Sequence, residues 1–366
     1  MLFRSTYLEA LRLEDKEAAE LALSKYETLT DSTQKILIKA LDDNEPAVRI
    51  AAARGLRRFD DLAVIEPLVE RLDDANERFR IAALETLTQF TAPKFVDETV
   101  AQCGEELTDR GPANAQKRMM AALVLGRLSR GAEQLVKALE YEDEFWFVKL
   151  QLINALGNIG EEGHLDIIRE YLDDPDLDVA KAAVMAVGQL GGQADIDVLI
   201  ELSRENPELS PSITQSLAEL AADEDLLVYL EDDETEQVRL LVLASLSMRA
   251  AADREAPDEV VAILADSDSL GLVSKAVDTL AGYDYTDDTD ELVELFNREP
   301  DSFGDYAAAA ADAETLTPVL DSLYALRIQA TRMLLQLDDN RTGLSYFIDQ
   351  LDADSEGRRI LAIEAL

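Results

Sequence analysis

The chain has 366 residues, a net charge of −42 and a single cysteine, Cys103. One cysteine excludes an intramolecular disulfide and a cysteine-based zinc site. The sequence shows neither a signal-peptide pattern nor an apolar run near the roughly 18 residues of a membrane span, so we expect a cytoplasmic protein without membrane contact.

The acidic composition has a physical interpretation. Acidic residues number 76, and lysine supplies only 10 of the 34 basic residues. Molar salt shortens the screening length to about 3 Å, which makes such a charge tolerable. The composition resembles that of haloarchaeal proteins, so we expect a halophilic archaeal source. The charge is uneven, because residues 1–150 hold 28 acidic and 21 basic residues and residues 151–366 hold 48 and 13.

The chain repeats itself at a spacing of 31 residues. We expect residues 1–36 to form N-terminal capping helices. In the repeats that follow, Val48 corresponds to Phe79, 31 residues later. The same spacing later maps Val148 onto Val179. A fixed period of this length indicates stacked structural units and not one closed core.

Each unit is predicted to be an antiparallel helix pair, as in residues 173–203. Asp174 is expected to cap the first helix, with Pro175 at its first position. Gly191 is expected to end this helix in a left-handed conformation. Apolar side chains recur at helical spacing at Val179, Ala182, Ala183, Ala186, Val187 and Leu190, and then at Ile196, Leu199, Ile200 and Leu202.

The whole chain, 1–366, is predicted to be one continuous solenoid. Residues 37–282 hold the recognisable repeats, and 283–366 are interpreted as degenerate repeats of which the last is incomplete. Residues 91–115 do not fit the pattern and are interpreted as irregular. Further first helices are predicted at 46–59, 77–90, 115–129, 147–159, 211–222, 236–248, 271–281 and 323–337.

Two segments carry a family pattern: DDNEPAVRIAAARGL, which starts at Asp42, and DDPDLDVAKAAVMAVGQLG, which starts at Asp173. Both combine an acidic start with proline, a valine before the helix centre, small residues in the middle and a late glycine. The pattern resembles HEAT repeats, most closely the short HEAT-like type of the phycobilisome lyases. The resemblance implies an all-α fold, a right-handed α-solenoid of HEAT-like antiparallel helix pairs with a concave and a convex surface.

Candidate catalytic and metal-binding residues have simpler interpretations. HEAT-like hydroxylases hold two irons with repeated His-Glu pairs, and His164 is the only histidine, so it is expected to lie on the surface or cap a helix. Cys103 is interpreted as a small packing residue. The acidic run of Asp284, Asp287, Asp288 and Asp290 lacks the glycine and closing glutamate of a calcium loop. We therefore predict no catalytic, cofactor or metal site, and no enzymatic activity.

An arginine cluster is the first candidate binding site. Arg54, Arg57 and Arg58 lie close together at the end of a predicted first helix. A row of arginines along a solenoid could also hold phosphates. Arg49 and Arg80, however, occupy a position that braces neighbouring repeats, and interleaved aromatic residues for base stacking are missing. Nucleic-acid binding is therefore disfavoured.

The second candidate site is the run Phe145-Trp146-Phe147. It stands at turn and helix-start positions where the other units carry mostly polar or small residues. Three consecutive aromatic side chains cannot all face one groove, so at least one is expected to be exposed. An exposed aromatic residue is a typical anchor for a partner. The alternative is that the run covers residues 91–115, and both interpretations stay open.

These patterns predict a non-enzymatic scaffold or adaptor that binds other proteins, such as an accessory factor of a signalling complex in archaeal chemotaxis. Two alternatives from other classes stay open. One is a chromophore or prosthetic-group lyase, as the resemblance suggests. The other is a nucleic-acid-binding protein. The sequence leaves the partner and the oligomeric state open.

Overall fold

The computed structural model describes residues 31–283 except 142–143, 232 and 252–253, together with scattered residues between 292 and 363. The predicted capping helices up to residue 30, the acidic run at 284–290 and most of the degenerate repeats lie outside the described residues. Between 31 and 283, the regular elements are α-helices and short 3-10 helices. None of the described helices is both long enough and apolar enough to cross a membrane.

The chain divides into two units, residues 1–191 and 192–366. In the first unit, α2, α4, α6, α8 and α10 are the first helices of successive pairs, and the helices between them are the second. The described helices of this unit are α1 (Asp31–Ala40), α2 (Pro46–Leu56), α3 (Ile65–Val69), α4 (Glu77–Gln89), α5 (Pro93–Thr108), α6 (Ala115–Leu128), α7 (Ala132–Leu139), α8 (Trp146–Ile159), α9 (Leu165–Arg169) and α10 (Leu177–Leu190).

The second unit continues the alternation of first and second helices. Its described helices are α11 (Gln193–Glu205), α12 (Ser210–Leu220), α13 (Asp223–Leu227), α14 (Glu236–Arg249), α15 (Asp258–Asp266) and α16 (Leu270–Leu280). A 3-10 helix, Val228–Leu230, follows α13 directly. The predicted first helices therefore have observed counterparts from 46 to 280, with ends that agree within about three residues.

Helix α10 shows which local signals were interpreted correctly. The predicted apolar residues of α10 and α11 are all buried, so the helical periodicity is confirmed. The predicted cap is wrong, because Asp176 and not Asp174 accepts hydrogen bonds from the first backbone amides, those of Asp178 and Val179. Asp174 instead accepts from the amide of Asp176 and pairs with Lys149 of the preceding repeat.

The backbone of Gly191, at the end of α10, is also not in the left-handed conformation that was expected. The helix ends at Leu190 as expected, but Gly191 has a φ of −72° and Gly192 a φ of −136°, which are ordinary backbone values. The left-handed glycine end occurs instead one repeat earlier. There Gly160 has a φ of 79° and closes α8.

Residues 91–115 are mainly helical, and the expectation of an irregular segment is wrong. Helix α5 buries one residue per turn, namely Phe95, Thr99, Cys103 and Leu107. Burial raises the pKa of the Cys103 thiol, in agreement with its interpretation as a packing residue. His164 ends a 3-10 helix before α9, and its Nε2 lies 3.3 Å from a carboxylate oxygen of Glu161. Its expected position at a helix start is confirmed, but the side chain is half-buried and makes no capping hydrogen bond.

Candidate functional site

The run Phe145-Trp146-Phe147 forms the start of α8. The side chains of Phe145 and Trp146 are 41% and 49% exposed, and Phe147 is half-buried. At least one exposed aromatic residue was expected, and the structure shows two. A tryptophan with half of its surface in water retains a large apolar area that another molecule could cover.

The aromatic rings pack mainly against one another. The rings of Phe145 and Phe147 are stacked, with centroids 5.6 Å apart and planes at 24°. Trp146 meets Phe147 edge-on at 5.8 Å. Tyr141 is also exposed, and the guanidinium of Arg110 lies over its ring. We call Tyr141, Phe145, Trp146 and Phe147 the aromatic cluster.

A buried ion pair fixes the backbone below the aromatic cluster. Arg118 of α6 binds both carboxylate oxygens of Glu144, with N–O distances of 2.8 and 2.7 Å, and each side chain is only 2% exposed. The same carboxylate accepts a hydrogen bond of 2.9 Å from the backbone amide of Phe145. The guanidinium also donates to the carbonyl oxygens of Asp109 and Gly111.

This pair therefore joins three segments of the chain: the loop after α5, the helix α6 and the residue before α8. A buried bidentate pair with further hydrogen bonds is rigid, because each lost contact would leave a charge without a partner in a dry environment. The aromatic cluster thus starts from a backbone whose position is fixed before any partner binds. Such preorganisation lowers the entropic cost of binding.

Sequence reasoning did not find this pair. Glu144 stands one position after the repeated acidic residues such as Asp74 and Asp174, so it does not follow the repeat pattern. Those two show the regular pattern, since Arg49 binds Asp74 with an N–O distance of 2.9 Å and Lys149 contacts Asp174 at 3.2 Å. The expectation that this position braces the next repeat is confirmed for Arg49 but not for Arg80, which donates to the carbonyl oxygens of Asp74 and Ala75 just before its own helix. A base at this position, followed by an acid about 25 residues later, is the signal that could have identified the pair.

Arg54, Arg57 and Arg58 are exposed at the carboxyl end of α2. Cations at this end of a helix interact favourably with its dipole. Arg80, which lies on the next first helix, donates instead to the carbonyl oxygens of its own turn, at Asp74 with a distance of 2.8 Å. The three predicted arginines therefore share one small region of the surface.

The structure does not bring the arginines and the aromatic cluster together. Arg118–Glu144 joins the amino ends of α6 and α8, and Gly126 meets Ala155 near their carboxyl ends, so these first helices run parallel. The arginines lie at the carboxyl end of α2, whereas the aromatic cluster lies at the amino end of α8. Three helix spacings separate α2 from α8, about 30 Å in all. The predicted set is therefore two separate regions.

Comparison with known proteins agrees with this architecture. Residues 33–106 and 132–219 match the family model for HEAT repeats. These two segments resemble HEAT repeats and cover 162 of the 366 residues. The aromatic run lies within the second matched segment, and α6 with Arg118 lies between the two matches. No curated protein sequence matches the chain.

Solved structures with HEAT repeats resemble the chain in fold. The karyopherin Kap121p, bound to the extreme C-terminus of the protein phosphatase Cdc14p, aligns with a TM-score of 0.56 at 12% identity, over 99% of this chain and 45% of that chain. Kap95p, from a study of its binding to RanGDP, aligns with a TM-score of 0.56 at 13% identity, over 99% of this chain and 60% of that chain. The chain thus spans less than half the length of Kap121p.

A third alignment is weaker. The complex of CpcE and CpcF of phycocyanin lyase from Nostoc sp. PCC7120 aligns with a TM-score of 0.32 at 17% identity, over 82% of this chain and 95% of that chain. At these identities the comparisons concern the fold. The predicted fold class, an all-α solenoid of HEAT-like helix pairs, is confirmed.

Proposed function

We propose that the protein is a scaffold or adaptor that binds another protein through the aromatic cluster at the start of α8. The observation that carries the proposal is the exposure of Phe145 and Trp146 on a backbone fixed by the buried Arg118–Glu144 pair. Tryptophan and tyrosine are the residues most enriched at binding hot spots. A role as an accessory factor of a signalling complex would use such a surface.

The repeat architecture supports the same proposal. Stacked helix pairs contact mainly their neighbours along the chain, which leaves long surfaces available to partners. HEAT solenoids such as the karyopherins bind protein partners. The neighbouring Arg110 lies over Tyr141 and contacts the buried Glu144 carboxylate at 3.5 Å, so it links Tyr141 to the same buried pair.

The test compares two exposed residues of the first unit. Trp146→Ala removes the most exposed ring of the cluster, and Ile81→Ala removes an aliphatic side chain of similar exposure on α4. Affinity capture in molar KCl from cells that express the protein, followed by mass spectrometry, would identify partners lost with Trp146→Ala and retained with Ile81→Ala. We expect the purified partner to bind Trp146→Ala at least tenfold more weakly, by calorimetry.

Circular dichroism and thermal unfolding of both variants complete the test. Both should keep the helical spectrum of the wild type. A large loss of stability in Trp146→Ala would mean that the cluster is part of the core, and unchanged partner binding would mean that it is not the contact surface. Either result would overturn the proposal.

A further inference from the structure

The second helices of the second unit expose apolar side chains at one shared repeat position. Val198 of α11 and Val228, just after α13, are 42% and 59% exposed, and Ala262 of α15 is exposed as well. We call these three residues the apolar row. Each is flanked two positions before and two positions after by buried aliphatic residues, which are Ile196 and Ile200, Leu226 and Leu230, and Val260 and Leu264.

Side-chain bonds show that the first two helices of this set are neighbours. Tyr229 donates its hydroxyl hydrogen to the carboxylate of Asp197, and Gln193 donates to Asp225 at 2.7 Å. Helices α11 and α13 thus lie side by side, with Val198 and Val228 at matching positions. Burial and the Asp197 carboxylate raise the pKa of Tyr229 to about 12, so its phenol stays protonated at neutral pH and keeps donating this bond.

A groove of about 520 Å³ lies between the α13 segment and α15. Its apolar lining includes Leu227, Val228 and Ile263. The carboxylates around it belong to Glu224, Glu231, Glu259 and Asp266, all of which are exposed. Arg239 also lines the groove, so the acidic side chains outnumber the basic side chain four to one.

We propose that this groove and the apolar row bind a basic amphipathic helix of a partner protein. The proposal deepens the proposed function, but it concerns a different surface and a partner of stated chemistry. The exposed valines supply the apolar contact, and the four carboxylates select lysine or arginine on both sides of it. Complementary charge of this kind accelerates association and excludes acidic segments.

The spacing of the row favours a helical partner. Neighbouring packed helices lie about 8–10 Å apart, so Val198 and Val228, which lie on elements joined by side-chain hydrogen bonds, are separated by about that distance. Residues i and i+7 of a helix are about 10 Å apart on the same face. A helix that crosses the second helices with one apolar residue in every seven therefore places each on a member of the row, as in other helix-in-groove complexes.

The charge of the second unit extends the attraction beyond the groove. Residues 192–366 carry 40 acidic and 11 basic residues. A basic peptide is therefore attracted to the whole unit, and a test must separate this general attraction from binding in the groove. Substitutions that add the same charge at two places provide that separation.

The probe is a fluorescein-labelled 14-residue peptide of leucine and lysine with its leucines on one helical face. Binding is measured by fluorescence anisotropy at the lowest KCl concentration at which circular dichroism shows that the wild type keeps its helical spectrum. Val228→Asp and Met248→Asp each add one negative charge at residues that are 59% and 60% exposed, and only Val228 lines the groove. We expect Val228→Asp to weaken binding about tenfold, because it places a charge under the apolar face. Met248→Asp should change the affinity less than twofold.

The carboxylates are tested in the same assay. The double variant Glu224→Gln with Glu259→Gln should weaken binding about fivefold. The charge-matched control, Glu205→Gln with Glu208→Gln at exposed glutamates of the same unit outside the groove, should not. A permuted peptide whose leucines do not share a face should bind at least tenfold more weakly. Equal binding of the permuted peptide, or equal losses for Val228→Asp and Met248→Asp, would refute the groove.

Thermal unfolding checks that Val228→Asp retains the fold. Trp146→Ala should bind this peptide like the wild type, because Trp146 lies in the other unit. Loss of the captured partner in Trp146→Ala with normal peptide binding would leave the groove proposal intact. If Trp146→Ala retains the captured partner, the aromatic cluster is refuted, and if Val228→Asp binds the peptide like the wild type, the groove is refuted. The two proposals therefore fail separately.

Discussion

The first helices of neighbouring repeats are joined differently in two regions of the molecule. In the first unit, a Cβ on Gly126 of α6 would lie 2.9 Å from the Cα of Ala155 on α8, so these backbones meet almost directly. In the second unit, Thr279 of α16 donates a hydrogen bond of 3.0 Å to the carbonyl oxygen of Leu243 on α14. Both arrangements need a small side chain at the contact, but only the second one uses a hydroxyl group.

The difference shows that the repeat constrains the size of the side chain at this contact more strongly than its polarity. Ser245 makes the hydroxyl contact between α14 and α12, and Thr86 makes it between α4 and α2, so the hydroxyl arrangement occurs in both units. Each hydroxyl also lies within hydrogen-bonding distance of a carbonyl of its own helix, so its single hydrogen is shared between two acceptors. The region around α6 and α8 adds the buried Arg118–Glu144 pair.

The largest effect is expected at that buried pair. Arg118→Ala removes the closest partner of the buried Glu144 carboxylate and leaves it the longer 3.5 Å contact with Arg110, which should lower the free energy of unfolding by about 3–5 kcal/mol. Urea unfolding followed by circular dichroism measures the change. Arg204→Ala, which removes an exposed arginine paired with Glu201 and Glu234, should cost less than about 1 kcal/mol.

The pair has a further test in its double variant. Arg118→Met combined with Glu144→Leu removes both charges and should recover most of the lost stability. If Arg118→Ala costs no more than Arg204→Ala, the pair does not hold the start of α8. The proposed preorganisation of the aromatic cluster would then lose its physical basis.

An intermediate effect is expected at the glycine contact. Gly126→Ala forces α6 away from the backbone of Ala155 and should destabilise the protein by about 1–3 kcal/mol, as overpacking does. Gly163→Ala is the matched control, because an added Cβ there meets nothing within 4 Å. Thermal unfolding should separate the two variants. Equal melting temperatures would show that α6 and α8 can move apart without cost.

The smallest effect is expected at the hydroxyl contact. Thr279→Val keeps the shape of the side chain and removes the hydrogen bond to Leu243, which should cost about 1 kcal/mol. Thr108→Val, at an exposed threonine that bonds only the Glu105 carbonyl of its own helix, should have a smaller effect. Differential scanning calorimetry measures both. A neutral Thr279→Val would show that size alone joins α14 and α16.

The predictable part of this fold depends on regular periodicity. The first helices at 46–56, 77–89 and 236–249 were predicted with correct starts, because aliphatic residues and alanine repeat every three or four positions. Helix α5 was missed because its buried stripe includes Thr99 and Cys103, which weaken the apolar pattern. The polar residues in its buried stripe thus obscured the apolar periodicity of a helix that the structure contains.

Contacts between repeats were harder to predict. In the segment from Asp173 to Asp176 several acidic residues are equally suited to cap α10, and the pairing of Asp174 with Lys149 decides which one does. The two residues are 25 positions apart, and sequence alone does not show which of their side chains meet. The exposure of Val228 was equally hard to predict, because Val228 begins the 3-10 helix that follows α13.

The burial of Cys103 has a practical consequence. It is the only cysteine of the chain, and its side chain on α5 is fully buried. This burial raises the pKa of the thiol. Since the thiolate is the nucleophile, this sulfur should react slowly with maleimides in the folded protein. A cysteine introduced at Trp146 or Val228 could therefore carry a fluorophore or spin label without prior removal of the native thiol, which makes both proposed surfaces directly accessible to spectroscopy.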